Sequence, residues 1–437
     1  MRTIIFTLLL SFTFIGFSQN TAIPDSNFEQ ALIDLGIDTN PTIDGQVPTA
    51  NISGVTSLNV SSKNIADLTG IEGFISLTNL DCGDNQLTGL LDLSNNSALT
   101  TLRCSFNQLT SLDFSNNIAL TNLDCEGNGL ASLDLSNNIA LTELILVSNQ
   151  LTSLDVSNCS DLTSMNLRGN QLTDLDLSNN ILLNYLDFSF NQLTSLDVSN
   201  NTALTVFISE NNQITSLDFS NNTALIELNC YSNQLTSLDV SNNLGLTRLD
   251  CFDNQLTSLD VSNNIALTIL DCNNNQLTGL LDLSNNIALA KLQCQVNKIE
   301  ILNIKNGNND NVTLFNALNN PDLYCIVVDD ISYSTTNWTN IDSASTFVNN
   351  ETDCEALSLV DNNFELEVTI YPNPTDNYLF IEGNENPISI TIYNLLGAKV
   401  IAKSNTDKID VSELSKGVYI INISDGVSQT NKKFIKN

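Results

Sequence analysis

The sequence predicts a mainly β chain: a solenoid of 21–22-residue coils with a short helical N-terminal cap, followed by a small antiparallel β-sandwich of immunoglobulin-like type. Three observations carry this expectation. From Leu77 the text repeats in register, with coils beginning at Leu77, Leu99, Leu120, Leu141, Leu162, Leu183, Leu204, Leu225, Leu246, Leu267 and Leu289. Within each coil, apolar residues stand two apart in two short runs, the period of a strand with one face turned inward. Near residue 365 the repeat ends, and short alternating runs separated by Gly, Pro and Asn take over, the pattern of a small sandwich. So many copies at one period mean stacked coils rather than separate domains.

Residues 1–18 read as a signal peptide. Arg2 gives a positive start, Ile4 to Phe17 is nearly all apolar, and Ser18 is small. The run is too short to span a bilayer, which takes about 20 residues. No later stretch is apolar enough to cross one, so the mature chain is expected to be exported without a transmembrane segment. Residues 19–54 form the N-terminal cap. There Asp25-Ser26-Asn27 precede FEQALIDLG, which places Phe28, Ala31, Leu32 and Leu35 on one face of a helix ended by Gly36. Asp38, Asn40 and Asp44 do not have the spacing of a calcium loop, and Pro41 interrupts them.

Residues 55–320 are the solenoid. The coil Leu246–Ala266 reads LTRLDCFDNQLTSLDVSNNIA, in which Leu246, Leu249 and Cys251 precede Asn254, and Leu256, Leu259 and Val261 precede Asn263 and Asn264. The pattern L-x-x-L-x-L-x-x-N-x-L resembles leucine-rich repeats, with Cys often in the third apolar place. The first coil, with Ile65-x-Asp67-Leu68-Thr69-Gly70-Ile71-Glu72, is similar to the internalin type. Coils this short leave no room for a helix, so a strand is expected on one side and a second short strand or extended segment on the other. The row Asn85, Asn107, Asn128, Asn149, Asn170, Asn191, Asn212, Asn233, Asn254, Asn275 and Asn297 follows the first strand. Short amides there can bond backbone groups that the turning chain leaves unpaired.

Comparing coils shows what the repeat fixes and what it frees. LTSLDVSNN recurs almost verbatim, whereas the place after the Cys holds Gly83, Glu126, Arg168, Glu210, Tyr231 or Phe252, among others. Resemblance to internalin-type repeats implies that this first strand lies on the concave face, where such proteins bind partners. Tyr231 and Phe252, beside Arg248 and Asp253, are the expected anchors, with Phe190 and Arg168 as further candidates.

The invariant half carries Asp92, Asp113, Asp134, Asp155, Asp176, Asp197, Asp218, Asp239, Asp260 and Asp282 at one outward place. Carboxylates about 4.8 Å apart repel by roughly 0.9 kcal/mol even at the dielectric of water. Hydrogen bonds to Ser, Thr or backbone would offset this. Bound calcium, at Asp197, Asp218, Asp239 and Asp260 for example, is the other offset; no other cofactor is expected. Cys82, Cys104, Cys125, Cys230, Cys251, Cys272 and Cys294 fill an inward place as small core hydrophobes. Cys159 replaces a turn Asn and is expected to be partly exposed. In the cap and linker of residues 321–364, Cys325 and Cys354 are expected to form a disulfide, as befits an exported chain.

Residues 365–437 resemble the type A C-terminal sorting domain of the type IX secretion system of Bacteroidetes. The matching elements are Tyr371-Pro372-Asn373-Pro374, Asn394-Leu395-Leu396-Gly397, the run from Leu414 through Gly417 to Tyr419, and the basic end with Lys432 and Lys433. The resemblance implies handling by the type IX machinery and release or attachment at the outer-membrane surface.

With 15 Lys plus Arg against 49 Asp plus Glu, the chain carries a net charge of −34 and would be repelled by nucleic acid. It has no histidine, which removes Ser-His-Asp and Cys-His catalysis. A repeated carboxylate row is a framework pattern rather than a catalytic pair, so no enzyme is expected. The expected function is a secreted or cell-surface module for adhesion or binding of a protein or glycan. The alternative is a cation-bridged structural component of the surface or matrix without a specific ligand.

Overall fold

The computed structural model describes residues 19–360, 368–383, 389–425 and 429–437, so the expected signal peptide lies outside the described residues. One compact unit runs to Leu323 and includes Val328–Ser345; the other joins Tyr324–Val327 to Thr346–Asn437.

The first unit is built on a 13-stranded parallel sheet whose strands follow in chain order, from Ser57–Asn59 to Leu314–Asn316. Each strand is three residues long, and equivalent residues pair in register, as in Leu228 with Leu249 and Leu249 with Leu270. Inward Leu, Cys and Phe side chains are buried along the whole array. On the other side the LTSLD segments are extended but seldom laddered. Thr88–Leu91 pairs with Gln108–Leu112, and Thr278–Asp282 with Lys298–Asn303. Both pairs start at the TGLLD sequences that carry the extra leucine. Each sheet strand ends in a turn of left-handed backbone, occupied by Ser148, Phe190, Ser232 and Asp253 at φ 52–55° and by Gly127 and Gly169.

Two asparagine ladders close the turns. In the first, Nδ2 of Asn191 donates to the carbonyls of Leu167 and Phe188 at 3.0 and 2.9 Å, while its Oδ1 accepts from the backbone N–H of Leu172 at 3.0 Å. These are the groups that a chain leaving a strand cannot pair with itself. The second ladder, Asn96, Asn117, Asn138, Asn180, Asn201, Asn222, Asn243, Asn264 and Asn286, is wholly buried. Its amides donate to two carbonyls each, as Asn201 does to Leu177 and Asn180. Cys159 stands in this row. Contrary to the expectation of partial exposure it is completely buried, because the place it fills is an interior rung and not a surface turn. Its Sγ lies 3.6 and 3.9 Å from the carbonyls that an amide would reach, and burial pushes its thiol pKa up to about 11.

The capping helix spans Ser26–Asp34, with the Asp25 carboxylate accepting from the N–H groups of Asn27 and Phe28. Phe28, Ala31 and Leu32 are buried, but Leu35 is half exposed because it has already left the helix as its C-cap. Glu29 is buried in full and accepts from the amides of Asp44 and Gly45. Asn40 ties Asp38 and Asp44 into one turn. Toward the other end of this unit Phe315 stacks on the buried Trp338, with centroids 4.3 Å apart.

In the second unit Cys325 and Cys354 form the expected disulfide, with Cα atoms 5.5 Å apart. Beside the parallel pair of Cys325–Val327 with Thr346–Val348 and the helix Glu351–Val360, the described residues from Thr369 onward form a sandwich of two antiparallel sheets. One has the order Thr369–Tyr371, Tyr378–Glu382, Lys408–Asp410; the other has Lys399–Ser404, Ser389–Asn394, Gly417–Ser424, Gln429–Lys436. Leu379, Ile381 and Ile409 of the first sheet pack with Ile390, Ile421 and Phe434 of the second in one core.

Candidate functional site

The coil repeat places the variable residues in three columns on the solvent face of the parallel sheet: the first and third residues of each strand, and the residue two places beyond. Side chains in one column are separated by a single coil, about 4.8 Å, so long ones meet their neighbours from adjacent coils. On the coils from Leu162 to Asn273 this produces a continuous row. The Arg168 guanidinium lies 4.3 Å from the Phe190 ring centroid. It donates to Oγ of Ser189 at 3.0 Å and to Oε1 of Glu210, two coils away, at 2.6 Å. Beyond it stands Tyr231, whose phenol pKa is pushed up to about 12 by burial first and then by the nearby Glu210 carboxylate. The Tyr231 ring lies flat against Phe252, with centroids 4.1 Å apart and planes 13° from parallel. Arg248, expected beside this pair, bonds Asp250 at 2.6 Å and approaches Glu227 at 3.6 Å.

Five of the six candidate residues therefore fall in one neighbourhood. The sixth, Asp253, lies on the left-handed turn, exposed, and takes hydrogen bonds from Ser232 and Asn274. Phe190 occupies the same type of turn at φ 55°, a conformation costly for a bulky side chain, and is 43% exposed with Arg168 over its ring. Tyr231 and Phe252 are half-buried rather than exposed, since each covers a face of the other.

The row also contains carboxylates that the alternation of in and out did not single out. Asp187, Glu210, Asp250 and Asp271 point to the solvent side of the sheet yet are nearly buried by neighbouring coils. Desolvation holds the Asp250 and Asp271 carboxyls above the ordinary carboxylate range, against the opposing pull of Arg248 on the first and of Asn273 and Gln293 on the second. The signal was present in the columns: a formal Arg168–Glu210 pair stands 42 residues apart, two coils.

The aspartate row lies on the LTSLD segments and behaves differently. In Asp197, Asp218, Asp239 and Asp260, Oδ1 accepts from the N–H of the serine two residues on, at 2.9 Å in each case. This bond and the hydroxyl of the same serine hold all four carboxyls below the ordinary range; where neighbouring aspartates oppose the shift, they are the smaller influence. The serine at Asp+2 is thus the local offset to like-charge repulsion. Among the described residues, no group of three or more His, Cys, Asp or Glu is placed to hold a metal ion.

The cysteine ladder is interior. Burial, before any other cause, raises the thiol pKa of Cys82, Cys230, Cys251 and Cys272, and that of Cys294 to about 12. Cys104 donates to Cys125 at 3.4 Å without a covalent bond.

In the sandwich, Asn373 locks the basic end in place. Its Nδ2 donates to the Lys433 carbonyl and its Oδ1 accepts from the Ile435 N–H, both at 2.9 Å. The flanking Tyr371–Pro372 and Asn373–Pro374 bonds are cis. Tyr419, two residues after Gly417, donates to the Ser415 carbonyl and stacks on Phe434. Lys432 and Lys433 pair with Ile421 and Ile420 on the neighbouring strand.

Comparison with known proteins agrees with both halves. Residues 369–437 match the family described as secretion system C-terminal sorting domain. The functional domain of InlJ from Listeria monocytogenes, described as including a cysteine ladder, is similar over 96% of this chain and 99% of its own, with TM-score 0.64 and 27% identity. An internalin, inlF, from the same organism is similar in fold over 77% of this chain and 100% of its own, with TM-score 0.60 and 24% identity. No curated protein matches the chain in sequence. The chain is thus an internalin-like leucine-rich-repeat solenoid that carries a type IX sorting domain. That domain implies secretion and surface attachment, and among the described residues no helix is long and apolar enough to cross a membrane.

Proposed function

We propose that the solenoid is a recognition module for adhesion or binding, and that its ligand, a protein or glycan, docks on the solvent face of the parallel sheet around Tyr231 and Phe252. The observation that supports this most is the row from Phe190 through Arg168, Glu210 and Tyr231 to Phe252. Large aromatic and Arg side chains held rigid by their neighbours lose little entropy on binding and are the usual anchors of interfaces. The repeat itself needs none of them, since other coils fill the same places with Gly83 or Ser105. Catalysis finds no comparable support, and binding is the role of this face.

The test is binding of the full exported chain to arrays of surface proteins and glycans, repeated with the Tyr231→Ala, Phe252→Ala variant. Loss of an anchor pair is expected to weaken the captured ligand by about 30-fold or more, equivalent to about 2 kcal/mol. Undiminished binding by the variant would remove this face from consideration. Self-association that depends on calcium and salt, with no array ligand, would instead favour a structural role at the cell surface.

A further inference from the structure

The geometry of the aromatic pair and the charge around it narrow the ligand class. Tyr231 and Phe252 belong to adjacent coils and stack along the coil-to-coil direction. Their ring normals therefore lie in the plane of the sheet, and ring edges, not faces, look out of it. A pyranose binds by laying a C–H face on an aromatic face, which this pair has turned inward. Edges offer apolar area to an aliphatic stem instead.

Charge on the same coils is unbalanced. Asp187, Glu210, Glu227, Asp250 and Asp271 stand against two guanidinium groups, Arg168 and Arg248. Both guanidiniums are already engaged, the first by Glu210 and the second by Asp250 and Glu227. Asp187 and Asp271 are satisfied by neutral donors only, Ser189 on one side and Asn273 with Gln293 on the other. Between Glu210 and Asp250, the side-chain carbonyl of Asn229 is closed off with no donor among the described residues. The face thus carries acidic acceptors in excess of its two guanidinium groups.

We infer that this face receives a protein segment presenting a lysine or arginine, with the cationic head at Asp250 and Asp271, which pair in register on adjacent coils, and the hydrocarbon stem against the edges of Tyr231 and Phe252. The inference rests on the recognition reading above and selects within it. Electrostatic complementarity argues the same way: a partner that is acidic, whether protein or glycan, meets repulsion here, while a neutral glycan leaves the buried carboxylates uncompensated. Protonation of the partly desolvated Asp250 and Asp271 competes with the incoming cation.

The experiment offers the full chain to an array of random 12-residue peptides and to an array of neutral and acidic glycans. Captured peptides are expected to be enriched in Lys or Arg next to apolar residues. The double variant Asp250→Asn, Asp271→Asn is expected to lose at least tenfold in affinity for them. The double variant Asp218→Asn, Asp239→Asn removes the same charge from the LTSLD side and is expected to change affinity by less than twofold at equal ionic strength. With unaltered protein, peptide affinity is expected to fall as pH drops from 7 toward 4.5. This second readout holds even where the first variant folds poorly. Equal losses in both variants, no Lys or Arg enrichment, or a pH-independent affinity would overturn the inference. Glycan capture abolished by Tyr231→Ala, Phe252→Ala would also overturn it, while leaving the recognition reading intact.

Discussion

Replacing Asn191 by Ala tests the physical basis of the scaffold. The side chain uses both amide protons on the carbonyls of Leu167 and Phe188, with Ser189 O within 3.2 Å, and accepts from Leu172 N–H. The two carbonyls keep a second donor each, Asn170 for Leu167 and Asn212 for Phe188. The Leu172 N–H is left buried without a partner. Three lost hydrogen bonds at about 1 kcal/mol each, plus the cost of one orphaned buried donor at about 1–2 kcal/mol, give a destabilisation of about 4–5 kcal/mol. The second ladder supplies a control within the same fold. Asn201 donates to Leu177 and Asn180, but its Oδ1 accepts nothing, so Asn201→Ala strands no N–H and is expected to cost only about 1–2 kcal/mol. Urea unfolding of the full chain, followed by circular dichroism, reads both as midpoint shifts at constant slope. A cost below about 1 kcal/mol for Asn191→Ala, or an equal cost at Asn201, would refute the reasoning.

Four other outcomes follow from the same geometry. Cys159→Asn restores an amide within reach of the Leu135 and Asn138 carbonyls and is expected to stabilise by about 1 kcal/mol; a lower urea midpoint would show that the rung cannot hold Asn. Asp124, Asp250 and Asp271 have raised carboxyl pKa values, so the folded chain binds their protons more tightly than the unfolded one, and stability should rise as pH falls from 7 through those values. Asp197 and Asp218, like the rest of their row with a resolved shift, have lowered values, so their contribution is present above the unfolded carboxylate range and is lost below it; a melting temperature falling steadily from pH 7 downward would contradict this balance. Because the serines already hold that row, the melting temperature should be the same in EDTA and in millimolar calcium at fixed ionic strength, and a calcium-dependent rise would reopen metal binding. Deleting residues 368–437 should leave the solenoid unexported, with fractionation as the readout; surface display of the truncated chain would sink the sorting assignment.

Much of the scaffold was legible because a repeat states its own rules. The period gave the register, alternation gave the inward Leu and Cys, and Asn after each strand marked the turn. Where reading failed, cross-coil packing was the reason. Cys159 was placed at a surface turn because the exposed and buried members of the Asn pair cannot be told apart by order alone. Leu35 fits the helical face by spacing but lies beyond the last turn. Alternation alone leaves Asp187, Asp250 and Asp271 on the solvent side of the sheet, and only stacking at coil spacing shows that they are buried. Asp253 and Phe190 look like strand residues in the text, yet the chain has already turned left-handed there. For the candidate site, the columns identified Tyr231 and Phe252, while the Arg168–Glu210 link needed side chains long enough to bridge two coils.

The central claim is that recognition belongs to the half of each coil that the repeat leaves free. Hydroxyl-radical footprinting of the full chain with and without its array-selected ligand tests this most directly. Protection of Phe190, Tyr231 and Phe252, with unchanged reactivity along the LTSLDVSNN segments, is the expected result. Protection confined to those segments, with Tyr231 and Phe252 as reactive as in the free chain, would contradict it.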